Sequence, residues 1–244
     1  MLSIFKSKPK LKQLIPNNYV DIHSHLLPGI DDGAKNNNDS LFILTEMEKI
    51  GFEKAITTPH TIKNVWNNSK LDIENTYKKL IQDLPQQTQN LELRVASEYF
   101  MDENFLELFK KESLLTLKDN YVLVEMSYLN PPIQLFEILF ELQLKGYQPV
   151  LAHPERYNFY HNTFSIYEQL KKAGCLFQMN LLSSVGYYGR DVSITADKLL
   201  GNDLIDFVGS DIHHENHIKS FENKIIIKNN EAFEKAINAN CFFS

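Results

Sequence analysis

The chain has 244 residues and a net charge of −6, with 43% hydrophobic residues, 23% charged residues, nine glycines and nine prolines. This is the profile of an ordinary globular protein long enough to bury one large core. The acidic balance argues against a nucleic-acid surface, no apolar stretch approaches the length of a membrane span, and two cysteines are too few for a disulfide framework and suggest a reducing compartment.

In chain order, "MLSIFKSKPKLKQLIPNN" has basic residues but neither a continuous apolar segment nor a small-residue cleavage site, so it does not read as a signal peptide. Residues 1–17 are expected to form a flexible basic tail, with a weak contact to an anionic membrane or a partner as the alternative. Residues 18–244 are expected to form one domain. Here short apolar runs alternate with helical patterns. "YVDI" (19–22) is followed by His23, His25, Asp31 and Asp32. The helix pattern "NDSLFILTEMEKIG" comes next, with Asn38 or Asp39 as its cap and a glycine stop. "AITT" (55–58) leads to His60, "LRVA" (93–96) to Glu98 and "YVLV" (121–124) to Glu125. The segment "NPPIQLFEILFELQLKG" places Pro131 and Pro132 in the first turn of a further helix. "PVLA" (149–152) leads to His153, "CLFQM" (175–179) to Asn180 and "DFVG" (206–209) to Asp211 and His213.

Strands alternating with helices of ten or more residues indicate a parallel sheet. Seven such units without a second hydrophobic block fit a closed barrel better than an open doubly wound sheet. In a barrel the C-terminal strand ends meet at one face, so side chains spread over almost 200 positions would converge there. Nearly every run ends in a group able to bind a metal. Carboxylates and imidazoles without thiolates suit zinc, manganese or iron in a multinuclear site rather than a structural zinc knuckle. Two ions about 3.5–4 Å apart suit hydrolysis of a phosphate monoester, with amide or lactone hydrolysis less favoured. A cysteine-based phosphatase is excluded, because the sixth residue after Cys175 is Leu181 where that mechanism needs arginine, and apolar neighbours make Cys175 a core residue.

The ordered set of His-x-His, a later His, two Glu, another His and Asp-x-His resembles the PHP (polymerase and histidinol phosphatase) superfamily. The strings "DIHSHLLPGIDDGA", "TTPH", "LAHPERY" and "GSDIHH" resemble a narrower branch over residues 18–240: the bacterial metal-dependent protein-tyrosine phosphatases of capsule and exopolysaccharide operons (YwqE, CpsB and CapC type). The resemblance implies a distorted (β/α)7, TIM-like barrel of the PHP type holding three divalent ions, with manganese expected and iron or zinc as alternatives. It also implies a first ion held by His23, His25, Glu98 and Asp211, and Glu98 bridging to a second ion held by Glu125 and His153. Asp32, His60 and His213 would hold the third. Asp31 would orient a ligand or shape the "PGIDDG" turn. Arg156 is the expected phosphate clamp. The second arginine usual after Asp-x-His is missing, which leaves His214, His217, Lys219 or Arg190 to replace it. Tyr128, Trp66, Tyr157, Tyr187 and Tyr188 would either receive a phosphotyrosyl ring or pack the loops. The implied partner is the tyrosine-rich tail of a bacterial tyrosine autokinase, met in the cytoplasm near the inner face of the membrane without stable insertion. A small phosphate ester such as histidinol phosphate is the alternative substrate, and a non-catalytic binding protein the minor alternative. No oligomeric state is readable.

Overall fold

All seven apolar runs become strands, and all of them run parallel, in the computed structural model, which describes residues 7–244. The strands are β1 (Val20–Asp21), β2 (Lys54–Thr57), β3 (His60–Thr61), β4 (Arg94–Val95), β5 (Glu98–Phe100), β6 (Tyr121–Glu125), β7 (Gln148–Ala152), β8 (Leu176–Asn180) and β9 (Phe207–Gly209). The second and third runs each break and resume, as β2 then β3 and as β4 then β5. Pro59 supplies one of these breaks, since proline has no N–H for the ladder. The hydrogen-bonded orders are β1-β2-β4 and β3-β5-β6-β7-β8-β9. The helices are α1 (Asn37–Ile50), α2 (Lys70–Asp83), α3 (Pro85–Asn90), α4 (Glu103–Lys111), α5 (Leu135–Leu144), α6 (Ser165–Lys172), α7 (Arg190–Gly201), α8 (Glu215–Ser220) and α9 (Asn230–Ala239).

Two expected helix starts move. Asn36 caps α1 by accepting from the Asn38 and Asp39 amides, so the cap lies upstream of both candidates. Pro131 and Pro132 precede α5 instead of opening it: the Leu135 amide reaches the Pro132 carbonyl across a turn, and the helix begins there. The expected stop at Gly51 holds, with a left-handed φ of 109°.

Alternation along the strands sorts the core into layers. Val20, Ile22, Leu123, Val150, Ala152 and Phe207 point into a common interior, and Phe243 of the last turn joins them. Their neighbours Val122, Val124, Leu151 and Phe177 face outward against α4, α5 and α6. Towards the C-terminal ends of the strands the interior turns polar: Gln178, Asn180, His23 and Glu98 are all fully buried.

Strands β1 and β9 come together mainly through side chains. Asn240 donates from Nδ2 to the carbonyls of Val20 (2.8 Å) and Val208 (2.7 Å), and its Oδ1 accepts from the Val208 amide at 3.1 Å. Buried Asp21 accepts from the Ser210 amide at 2.8 Å and the Ser210 hydroxyl at 2.6 Å. Just past the strands, the Asp211 amide reaches the His23 carbonyl and the His25 amide the Ile212 carbonyl, forming a parallel bridge between Ser24 and Ile212.

Residues 1–6 of the expected tail lie outside the described residues. The rest departs from the expectation of a free tail. Leu11 is fully buried in the core, the amides of Leu11 and Lys12 donate to the carbonyls of Asn223 and Phe221, and Lys10 and Lys12 pair with Glu222. The buried Leu11 side chain, these backbone bonds and the ion pairs together dock the segment.

Asn240 satisfies three buried backbone groups that have no ladder partner. Asn240→Ala is therefore expected to lower the unfolding free energy of the metal-free protein by about 2–3 kcal/mol, measured by urea denaturation.

Candidate metal centre

The exits of the parallel strands bring nine side chains to one place. His23, His25, Asp32, His60, Glu98, Glu125, His153, Asp211 and His213 form four overlapping groups, and within each group the donor atoms lie within 4.8 Å of one another. These are the same nine residues singled out from the sequence. The groupings are His25, Asp32, His60 and His213; His23, Glu98 and His153; His23, His25 and Asp211; and His60, Glu98 and Glu125. They differ from the carried-over partition, in that His23 also joins Glu98 and His153. His25 also faces the Asp32 set, and His60 also faces the two glutamates.

Glu98 is the hub. Its Oε2 lies 3.1 Å from His23 Nε2, 3.1 Å from His60 Nδ1 and 3.5 Å from His25 Nε2, while its Oε1 lies 3.2 Å from His153 Nε2. Both oxygens thus address different imidazoles, the geometry a bridging carboxylate needs. Glu125 Oε1 stands 2.8 Å from His60 Nδ1, and Asp32 Oδ1 is 3.4 Å from both His60 Nε2 and His213 Nε2.

Three of these carboxylates are buried, which ordinarily favours the protonated form. Burial and the neighbouring Glu98 do push Glu125 up, whereas for Glu98 burial is outweighed by His23 and His60, which hold it well below the usual range. The imidazoles mirror this. Burial alone would lower His25 and His60, yet Asp31 beside the first and Glu125 and Glu98 beside the second raise both well above the usual value. His153 follows burial and falls to about 4, so it stays neutral with a lone pair to offer. The cluster attracts cations, and with protons alone it is incompletely satisfied: His60 Nδ1, Glu98 Oε1, Glu125 Oε1 and His153 Nδ1 are buried without a well-aligned hydrogen bond, even where an imidazole and a carboxylate stand close. Borderline divalent ions match this donor set of nitrogen and oxygen.

An outer ring of side chains fixes the donors. Asp31 both orients His25 and shapes the turn: its Oδ2 pairs with His25 Nδ1 at 2.8 Å, turning Nε2 inward, and its Oδ1 accepts from the Gly33 amide at 2.9 Å. Gln178 Oε1 meets His23 Nδ1 at 2.7 Å, and the His213 ring pairs through Nδ1 with the Asp211 carbonyl at 2.9 Å. Asn180 donates to Asp211 Oδ2 at 2.6 Å. Sequence reasoning missed Gln178, although a glutamine inside the apolar run "CLFQM" is a visible anomaly. His153 and Asp211 adopt φ of 37° and 52°, in the left-handed region that side chains other than glycine seldom occupy. Each is held there by a 2.7 Å backbone bond, from the His153 amide to Gln178 and from the Asp211 amide to His23. Close approach also demands two glycines. A Cβ at Gly33 would lie 2.3 Å from the His25 carbonyl oxygen, and one at Gly209 would lie 2.6 Å from His23 Cβ.

The donors sit at the edge of a cavity of about 530 Å³. Arg156 projects into it, 22% exposed, with Nη1 on Asp211 Oδ2 at 2.8 Å and its guanidinium between the rings of Tyr128 (4.7 Å) and Tyr188 (4.2 Å). His214 and His217 line the same cavity. His217 falls to about 3 through burial and accepts the His213 amide, so it enters as a neutral imidazole.

Other expected substrate contacts do not reach this cavity. Arg190 opens α7 on an exposed face and lines a separate depression, with Tyr188 standing between the two. Lys219 turns outward on α8 and pairs with Glu215 at 2.8 Å. Tyr157 is fully buried, and its hydroxyl accepts the Met126 amide at 2.9 Å, so it packs the loop and receives no ligand. Cys175 is buried and its thiol is pushed up to about 12, which agrees with its exclusion as a nucleophile.

Comparison with known proteins fits this geometry. The model of the family described as capsular polysaccharide synthesis, CpsB/CapC, matches residues 19–237. The tyrosine-protein phosphatase YwqE of Bacillus subtilis is 32% identical, over 80% of this chain and 77% of its own length. The tyrosine-protein phosphatase CpsB of Streptococcus pneumoniae is 27% identical, over 80% of this chain and 83% of its own. Among solved structures, one from work on YwqE and CpsB, described as unique metal-dependent tyrosine phosphatases, superposes with a TM-score of 0.76 at 29% identity, covering 83% of this chain and 84% of that one. A zinc-bound amidohydrolase from Burkholderia shares the fold alone, at 10% identity and a TM-score of 0.52. The parallel α/β fold, the nine clustered donors and a family match spanning nearly the whole chain lead to one conclusion: this chain belongs to the CpsB/CapC family of capsular polysaccharide synthesis proteins, within the PHP superfamily.

Proposed function

We propose that the chain is a metal-dependent phosphomonoester hydrolase that removes phosphate from phosphotyrosyl protein. The observation that carries this reading is the joining of nine metal-capable donors, four of their buried polar atoms unpartnered, to a clamped arginine in one cavity. The nine donors fit three ions, manganese first and iron or zinc as alternatives, on a distorted seven-stranded barrel, a reading that the Ser24–Ile212 bridge between the ends of β1 and β9 supports. Bound there, divalent ions supply Lewis acidity toward a phosphoryl oxygen and make water nucleophilic near neutral pH.

The chain's own residues do the rest. Arg156 keeps N–H groups free beyond the one given to Asp211, and its two flanking rings hold the guanidinium plane, so it meets phosphoryl oxygens without reorganising. Of the residues following Asp211-x-His213, His214 and His217 line the cavity and His217 is neutral, so anion binding rests on Arg156. Water adds to phosphorus and the tyrosyl oxygen leaves. A phenol with a pKa of about 10 is a far better leaving group than an alcohol and needs less help from a general acid. Half-exposed Tyr128 at the mouth offers a face to the departing ring. The tyrosine-rich tail of a capsule-system autokinase, met near the inner face of the membrane, is the substrate that family membership favours. Consistent with action from outside the bilayer, no helix among the described residues is long and apolar enough to cross a membrane.

Removing divalent ions with a chelator should abolish turnover of a phosphotyrosyl peptide, and manganese should restore it as about three ions per chain return, followed by elemental analysis. Turnover of histidinol phosphate should be far slower, and a large preference for it would displace the protein substrate. Glu98→Gln keeps the size of the hub and removes its charge, so metal content and activity should both fall, while Cys175→Ser should leave both unchanged.

Arg156→Ala should lower kcat/KM by about 10²–10³ with metal content preserved, because Asn180 still holds Asp211. Arg156→Lys should rescue only in part, since the fork is lost. Arg190→Ala should behave as the unaltered enzyme. Steady-state kinetics on one peptide, with metals measured in each sample, checks all three; a severe Arg190→Ala defect would move the clamp.

A further inference from the structure

A second cavity shares a wall with the metal cavity. It encloses about 370 Å³ between the loop after β3 and helix α4. Ile62, Trp66 and Phe100 border both cavities, and Phe105 and Leu108 of α4 form the far side of the second. The dividing wall is rigid. Ile62 and Trp66 exchange backbone hydrogen bonds at 3.0 Å each way, closing the loop into a tight turn, and Asn68 ties that turn to the His60 carbonyl at 2.8 Å. The Trp66 ring stacks on His60 with centroids 4.8 Å apart and planes 12° apart. One indole therefore backs a metal-site imidazole and also lines the neighbouring cavity.

Within a polar rim, this second cavity has an apolar patch made by Ile62, Trp66, Phe100, Phe105 and Leu108. Trp66, Phe100 and Leu108 are only partly buried, although they face one another across a concave surface. The rim sets Lys63 and Lys111 against Asp102, Glu107 and Glu112, with Lys111 3.5 Å from Glu107, so its charge is close to balanced and slightly acidic, which disfavours an acidic guest. Apolar area in such a concavity favours an apolar guest. An extended peptide advances about 3.3–3.6 Å per residue, and because the two cavities share the wall of Ile62, Trp66 and Phe100, a chain whose phosphotyrosine enters the metal cavity can carry a nearby residue over it.

Resting on the phosphoprotein reading above, we propose that this cavity is a specificity subsite. It takes an apolar side chain of the substrate a few residues from the phosphotyrosine, and Trp66 and Leu108 select it. The residue at that position then adds binding energy that a free small phosphate ester cannot supply.

The test uses the manganese-loaded protein with a set of phosphotyrosyl peptides. Each carries leucine, alanine or aspartate at one of the four positions on either side of the phosphotyrosine, and p-nitrophenyl phosphate serves as the small substrate. At one position leucine should exceed aspartate by about tenfold in kcat/KM, mostly through KM. Leu108→Asp should erase that preference while leaving p-nitrophenyl phosphate turnover unchanged, because the small ester does not cross the wall. If Leu108→Asp fails to fold, Leu108→Ala, which only empties volume, should weaken the preference in the same direction. Peptide hydrolysis with no flanking preference, or with a preference that survives both Leu108 variants, overturns the subsite alone. Turnover of p-nitrophenyl phosphate without hydrolysis of any peptide overturns the phosphoprotein reading together with the subsite.

Discussion

Three carboxylates, Glu98, Glu125 and Asp211, are buried within a few ångströms of the same imidazoles. Taking even one such charge out of water costs several kcal/mol unless opposite charge compensates it. The architecture at this end of the sheet follows from that constraint. Imidazoles are packed against every carboxylate, their own partners Asp31 and Gln178 fix which nitrogen faces inward, and Arg156 braces Asp211 from the solvent side. Even so, polar atoms remain unpartnered, and the raised proton affinity of His25 and His60 expresses the same demand for positive charge. The cluster costs stability on its own, and cations relieve that cost.

Bringing the donors together requires the first and last strands to meet, because β1 carries the chain into His23 and His25 and β9 carries it into Asp211 and His213. These strands are short, and a full backbone ladder does not join them. Side chains substitute: Asn240 spans the seam at mid-strand, Asp21 and Ser210 span it nearer the site, and only then do backbone bonds take over at Asp211 and His25. The left-handed backbone at Asp211 begins where this seam ends. At His153 and Asp211 the left-handed backbone lies at a strand exit, where the chain leaves the sheet sharply and aims a metal-capable side chain.

The cavity beyond the donors is built from aromatic rings with two duties. Tyr128 and Tyr188 hold the Arg156 plane, and Trp66 backs His60. Each fixes a charged or metal-capable group on one side and presents an apolar surface on the other. The same side chains that stiffen the site therefore shape what can enter it, which couples metal-site geometry to the choice of substrate.

Much of this was legible in the chain itself. The period of short β-branched runs and longer amphipathic segments specified parallel strands joined by helices, because that pattern buries its apolar faces in few other ways. The nine donors were readable because parallel strands must all end at one face, and every run but the one that leads to Asn180 was followed by a histidine or a carboxylate. Neighbour relations across the fold were not readable. The Asn240 seam, the Gln178 contact to His23 and the docking of Leu11 depend on residues tens to hundreds of positions apart. Arg190 and Lys219 looked like candidates by proximity in sequence to the site, yet helix direction turned both away. Tyr157 looked like a mouth residue until its hydroxyl was found on a buried amide. Sequence spacing determined which chemistry the strand ends carry. Only tertiary structure decided which side chains share an atom's neighbourhood, because rotamers, helix entry angles and strand register are settled by packing against distant partners.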